Sequence, residues 1–198
     1  MLLALLAQIN VDVSDAYFYR HFLGQSFEHL IEKVKQDFDV VIDDVFRLRY
    51  REALLETFSK DLTVTNGLFN LLAKLTLPCC VATSSSPARV THSLGVVGLD
   101  SFFKDRVVTA SEVENGKPSP DIFLHAAKKH GVDPENCLVI EDSNAGITAG
   151  LAANMEVVRY AGASHTINTE YNDQHRGITT IRDWLELLDT FPVLTKAA

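Results

Sequence analysis

The chain has 198 residues, 46% of them hydrophobic and 22% charged, with a formal net charge of −8. This length allows one domain, or a core plus a small inserted module, with no need for disulfides or structural metal. The composition excludes collagen, coiled coil and disorder; the acidic balance argues against nucleic acid and anionic membranes as partners, but not against an anionic small molecule at a locally positive site. The first predicted element is a helix over 2–9. Its apolar start is too short to span a bilayer and has no basic run before it, so neither a membrane anchor nor a signal peptide is expected. A second helix runs from Ser14 and Asp15 to Leu23, with Gly24 as its stop. Ser26 caps a third, with Phe27, Leu30, Ile31 and Val34 on one face. Asp43 and Asp44 open a fourth, whose apolar side carries most of Val45, Leu48, Ala53, Leu55 and Phe58.

After Lys60 the pattern alternates. Helices are expected over 67–75, 87–97, 121–130, 145–153 and 181–188, and short buried strands over 78–83, 106–110, 136–141 and 156–161. Such alternation implies parallel βαβ units. The predicted organisation is a helical module over 1–60 and an α/β part over 61–198. Cys79, Cys80 and Cys137 have no zinc-like spacing and read as buried strand thiols, which points to a reducing, cytoplasmic setting.

In a parallel sheet, function collects at the carboxyl ends of strands, and three of these carry suggestive groups. Thr83-Ser84-Ser85-Ser86 offers hydroxyls and amides before a helix start at Pro87; this suits an oxyanion such as phosphate, or plain helix capping. Lys117, held between Gly116 and Pro118, reads as a fixed point charge for phosphate or as an exposed loop lysine. Glu141 and Asp142 end an apolar strand; they suit a hard cation such as Mg²⁺, or Asp142 or Ser143 simply caps the next helix.

Taken together, the three sites resemble a known family. Lys117 follows Thr83 by 34 positions and precedes Asp142 by 25. Ala82-Thr83-Ser84-Ser85, Gly116-Lys117-Pro118-Ser119-Pro120-Asp121 and Ile140-Glu141-Asp142-Ser143-Asn144-Ala145-Gly146 are similar to the second, third and fourth motifs of the haloacid dehalogenase superfamily. The resemblance is to the branch that includes β-phosphoglucomutase and the small sugar-phosphate phosphatases. The resemblance implies a Rossmann-like parallel core with an inserted helical cap, here 1–60. Gly24-Gln25-Ser26 resembles the cap turn that faces substrate. In the family an aspartate attacks phosphorus, a second aspartate two positions on acts as general acid and base, and Mg²⁺ neutralises charge. By resemblance Thr83 and the Ser84 amide bind phosphoryl oxygens, Lys117 balances nucleophile and phosphate, and Asp142 ligates Mg²⁺, with Glu141 a ligand or a ligand's partner.

The family's first motif, Asp-x-Asp-Gly-Thr, has no counterpart. Asp12-Val13-Ser14-Asp15 lacks its spacing and glycine, and Val40-Val41-Ile42-Asp43-Asp44 lies within the cap. The resemblance would place the missing strand centrally, between the strands ending at Thr83 and at Asp142. The uncapped start at Met1 fits this gap, so a preceding segment is expected, and the chain as written should be inactive. The expected protein is a monomeric, Mg²⁺-dependent phosphatase of a small phosphorylated metabolite. The alternatives are a phosphomutase or a non-catalytic phosphate-binding protein. Arg20, His21 and His165 read as loop or surface residues near the site, and Trp184 as packing of the last helix.

Overall fold

The computed structural model describes residues 1–22, 25–164, 166 and 175–195. They fall into two compact units, Met1–Leu62 with Pro87–Asp100, and Thr63–Ser86 with Ser101–Ala198. The first holds α1 (Leu2–Ala7), α2 (Asp15–His21), α3 (Phe27–Phe38) and α4 (Asp44–Asp61). After α5 (Leu68–Lys74) and β1 (Val81–Thr83) of the second unit, it also holds α6 (Pro87–Val96).

The caps form where the sequence put them. Ser14, Ser26 and Asp43 accept from the amides of Tyr17, His29 and Phe46, at 3.2, 3.1 and 2.8 Å. Each satisfies a donor that the first helical turn leaves orphaned. The core gathers Leu6, Val11, Val13, Phe22, Leu30, Val34, Ile42 and Phe46. Helix α4 departs from expectation: Val45 and Leu48 are 58% and 56% exposed. Its inward face is set by Phe46, which is buried, and by Tyr50, whose ring stacks on Phe27 at 4.9 Å. Two large rings one turn apart bury more apolar area than Val45 and Leu48 would. His92 Nε2, on α6, lies 3.0 Å from Ser59 Oγ and 3.1 Å from Leu55 O, tying α6 to α4.

The second unit continues through α7 (Asp100–Phe103), β2 (Val107–Thr109), α8 (Asp121–His130), β3 (Leu138–Glu141), α9 (Asn144–Ala152), β4 (Glu156–Tyr160), β5 (Thr180–Ile181) and α10 (Trp184–Thr190). Among the described residues all strand pairs are parallel, as the alternation implied. Ile181, expected to open the last helix, lies in β5 instead. Asp183 accepts from the Leu185 amide at 2.7 Å and so starts the helix at Trp184. Successive strand residues face opposite layers. Val139 and Val157 pack with Ile122, Phe123 and Ile147 on one face, while Val158, Tyr160 and Ile181 pack with Leu71 and Leu187 on the other. Gly150 brings α9 down onto the sheet, since a Cβ there would come within 2.8 Å of Val157 Cγ2.

Among the described residues the strands form two sheets, β1-β2 and β3-β4-β5, in which β1 and β3 are each an end strand. The Val81 amide donates to Arg106 O at 2.8 Å. Ala82, next along the strand, therefore turns its carbonyl to the edge away from β2. Two short sheets with open edges bury less ladder than one continuous sheet. Calorimetry of this chain should accordingly give an unfolding enthalpy below about 0.7 kcal/mol per residue.

Candidate functional site

The segment between β2 and α8 is a tight turn that presents Lys117. Asn115 donates its backbone N–H and its side-chain amide to Asp121 Oδ2, at 3.2 and 3.1 Å. The Ser119 amide closes onto Gly116 O at 3.0 Å, and the Ser119 hydroxyl bonds Asp121. These bonds hold the Asp121 carboxyl below the usual carboxylate range, the Ser119 hydroxyl most of all. The Lys117–Pro118 peptide is cis.

From this turn the Lys117 side chain runs inward until it is only 10% exposed. Its ammonium donates to Ala82 O at 3.1 Å and pairs with Glu141 Oε1. The Phe123 ring centroid lies 4.8 Å away, a cation–π contact. One amine thus joins the end of β1, the 115–121 turn and the end of β3. Glu141, 9% exposed, uses its other oxygen to accept from the Ser143 hydroxyl at 3.0 Å and the Ser143 amide at 3.4 Å. The same hydroxyl accepts from the Gly146 amide at 3.0 Å and caps α9. A charge this deep persists only with partners on several sides, and both members of the pair have them.

Thr83 ends β1, and its hydroxyl accepts from the Ser85 amide at 3.1 Å, which fixes the turn through exposed Ser84. Asp142, half-buried, lines an open recess of about 250 Å³ with Thr65, Ile140, Glu141, Tyr160, Ala163 and Trp184. Trp184 stacks on Tyr160 at 4.2 Å and donates to Thr65 Oγ1 at 2.7 Å. It packs the last helix, as expected, but also walls this recess. Of the residues expected in the cap turn, Ser26 caps α3 and exposed Gln25 donates its amide to Phe22 O at 3.2 Å, while Gly24 lies outside the described residues. Arg20 is exposed, the His21 ring lies 4.4 Å from that of Tyr17, and His165 is also outside the described residues.

Mg²⁺ takes six oxygens in near-octahedral geometry. Of the two carboxylates expected as its ligands, Glu141 is committed to Lys117 and Ser143, and Asp142 lines the recess. Among the described residues no three His, Cys, Asp or Glu side chains cluster as a metal site. These residues therefore do not make a metal site by themselves.

Sequence reasoning did not single out His175, which is 2% exposed. Its Nδ1 lies 3.2 Å from Asn144 Oδ1 and its Nε2 lies 3.0 Å from Thr148 Oγ1. Asn144 Oδ1 can only accept, so Nδ1 donates, and the Thr148 hydroxyl can donate to Nε2 when the ring is neutral. Burial, together with the charge of Arg159, pushes its pKa down. No motif surrounds His175; its pairing with the first turn of α9 comes from chain return.

A family model described as haloacid dehalogenase-like hydrolase matches residues 6–154. The chain belongs to the haloacid dehalogenase-like hydrolases. It is similar to the 6-phosphogluconate phosphatase of Escherichia coli (strain K12), 28% identical over 148 residues, which are 74% of this chain and 67% of that protein. It is also 46% identical over 81 residues to the β-phosphoglucomutase of Mycobacterium tuberculosis, covering 39% of this chain and 31% of that protein. Among solved structures, a haloacid dehalogenase-like protein of unknown function from Agrobacterium tumefaciens superposes with a TM-score of 0.76 at 26% identity, over 98% of this chain and 89% of that one. Among the described residues no helix is long and apolar enough to cross a membrane.

The His175 arrangement has a pH signature. A histidine whose pKa is lowered by folding contributes stability above its unfolded value, about 6.5, and loses it as pH falls toward the folded value. Urea unfolding should therefore show the advantage of wild type over His175→Gln shrinking as pH falls below about 6.5.

Proposed function

We propose that this chain carries the phosphate-holding part of a phosphoric monoester hydrolase acting on small phosphorylated metabolites, sugar phosphates first among them. The observation that carries the reading is the buried Lys117 ammonium, donating to Ala82 O one residue before Thr83. There it lies beside the turn whose Ser84 amide and Thr83 hydroxyl can donate to phosphoryl oxygens. A fixed ammonium and backbone N–H groups at a strand end form an anion cradle that stabilises charge developing on a transferring phosphoryl group. The 198 residues contain no Asp-x-Asp-Gly-Thr run to supply the attacking carboxylate and its acid/base partner, so the chain alone should bind phosphate without turnover. Mg²⁺ dependence of the complete enzyme belongs to this proposal, with Asp142 as this chain's contribution. So does a cytoplasmic, monomeric setting, supported by three unpaired thiols whose pKa values burial raises. The β-phosphoglucomutase likeness favours phosphoryl transfer back to a sugar as a second reading, since both reactions use the same cradle.

Inorganic phosphate should bind the 198-residue chain, and Lys117→Ala should weaken binding about tenfold or more, a loss of ~1.4 kcal/mol. Titration calorimetry reads this, and chelating divalent metal should leave that affinity unchanged. Protein isolated from its own cells, assayed on a panel of phosphate esters, should hydrolyse at least one of them. In that form Lys117→Ala and Asp142→Ala should each lower kcat/KM by about 10²-fold or more. Silence across the panel with phosphate still bound would leave the non-catalytic reading standing.

A further inference from the structure

We propose that Glu141 is a positioning residue for Lys117, and that Gly146 is the clearing in α9 that lets it act as one. The inference rests on the anion-cradle reading for its catalytic meaning, but its geometry stands independently. An ammonium has three hydrogens and a carboxylate two acceptor oxygens. Glu141 gives one oxygen to Lys117 and the other to the Ser143 hydroxyl and amide. Lys117 gives one hydrogen to Glu141 and one to Ala82 O, which leaves a third, among the described residues, for an anion at the end of β1.

To make these bonds the carboxylate must lie flat over the first turn of α9. A Cβ built on Gly146 would overlap all three atoms of that carboxylate. The reason for glycine here is space, because Gly146 is not among the positive-φ glycines. Glycine is otherwise unfavourable within a helix. Gly150, one turn on, clears Val157 instead. The two glycines of one helix thus have different tasks: Gly150 seats the helix on the sheet, and Gly146 seats the acid that aims the lysine. In this assignment Glu141 serves Lys117 and does not ligate the metal.

Amine acetylation mapped by mass spectrometry tests the assignment on the 198-residue chain without any activity assay. In the wild type Lys117 should react about tenfold more slowly than Lys60, which is 66% exposed. Glu141→Gln keeps the shape and removes the charge; it should raise the Lys117 rate about fivefold and leave Lys60 and Lys129 unchanged. Gly146→Ala should do the same, and the double variant should exceed neither single one, since both act through one contact. A Lys117 rate in Glu141→Gln equal to that of wild type overturns the proposal, as does full additivity of the two changes. Millimolar MgCl₂ should leave the wild-type Lys117 rate unchanged; a rise to the Glu141→Gln level would mean that the acid passes to the metal, and would overturn it too. Protection of Lys117 by inorganic phosphate is read separately. Its absence would refute the anion cradle while leaving the Glu141–Gly146 arrangement intact.

Discussion

An ammonium withdrawn from water must be answered by oxygen, by a ring face or by an opposite charge, and in this protein Lys117 meets all three. Its partners come from three parts of the chain: Ala82 from β1, Phe123 from α8 and Glu141 from β3. Removing one member of a buried pair leaves the other uncompensated, at a cost of roughly 3–5 kcal/mol. The pair therefore holds the ends of β1 and β3 to one turn. The rigidity of the 115–121 loop, the cap at Ser143 and the bare backbone of Gly146 all serve to keep that ammonium in one place.

The sheet shows why such a tie is needed. Strands β1 and β3 belong to separate sheets, and among the described residues no ladder joins them. The outward carbonyl of Ala82 is satisfied by a side chain where a neighbouring strand would offer an amide. A buried carbonyl left without any donor would cost about 1–3 kcal/mol. Lys117 meets that need and in doing so carries its positive charge to the end of β1. One bond thus has a structural and a chemical consequence.

The helical unit follows a different logic. It has a core of aliphatic residues and rings, closed by three side-chain caps. Ser26, which the family resemblance would bring to substrate, uses its hydroxyl oxygen to cap α3; a hydroxyl that accepts from a backbone amide still has its hydrogen to give. Val45 and Leu48 show the limit of periodicity as a guide to burial. Helix α4 carries apolar residues around much of its circumference, and Phe46 and Tyr50 decide which side turns inward.

By itself the sequence determined the alternation of helix and strand, the parallel sheet, the caps at Ser14, Ser26 and Asp43, and the three strand-end motifs with their family. These are local: they follow from side-chain period, from hydroxyls and carboxylates before helix starts, and from residue types in fixed order. Only the tertiary structure decided that Glu141 belongs to Lys117, that Gly146 must be bare beneath it, that Ile181 pairs as a strand, and that His175 returns to hold Asn144 and Thr148. Each of these depends on which atoms distant parts of the chain bring within bonding reach. Burial then makes such contacts obligatory, because a polar group that has lost its water must take the partner the fold supplies.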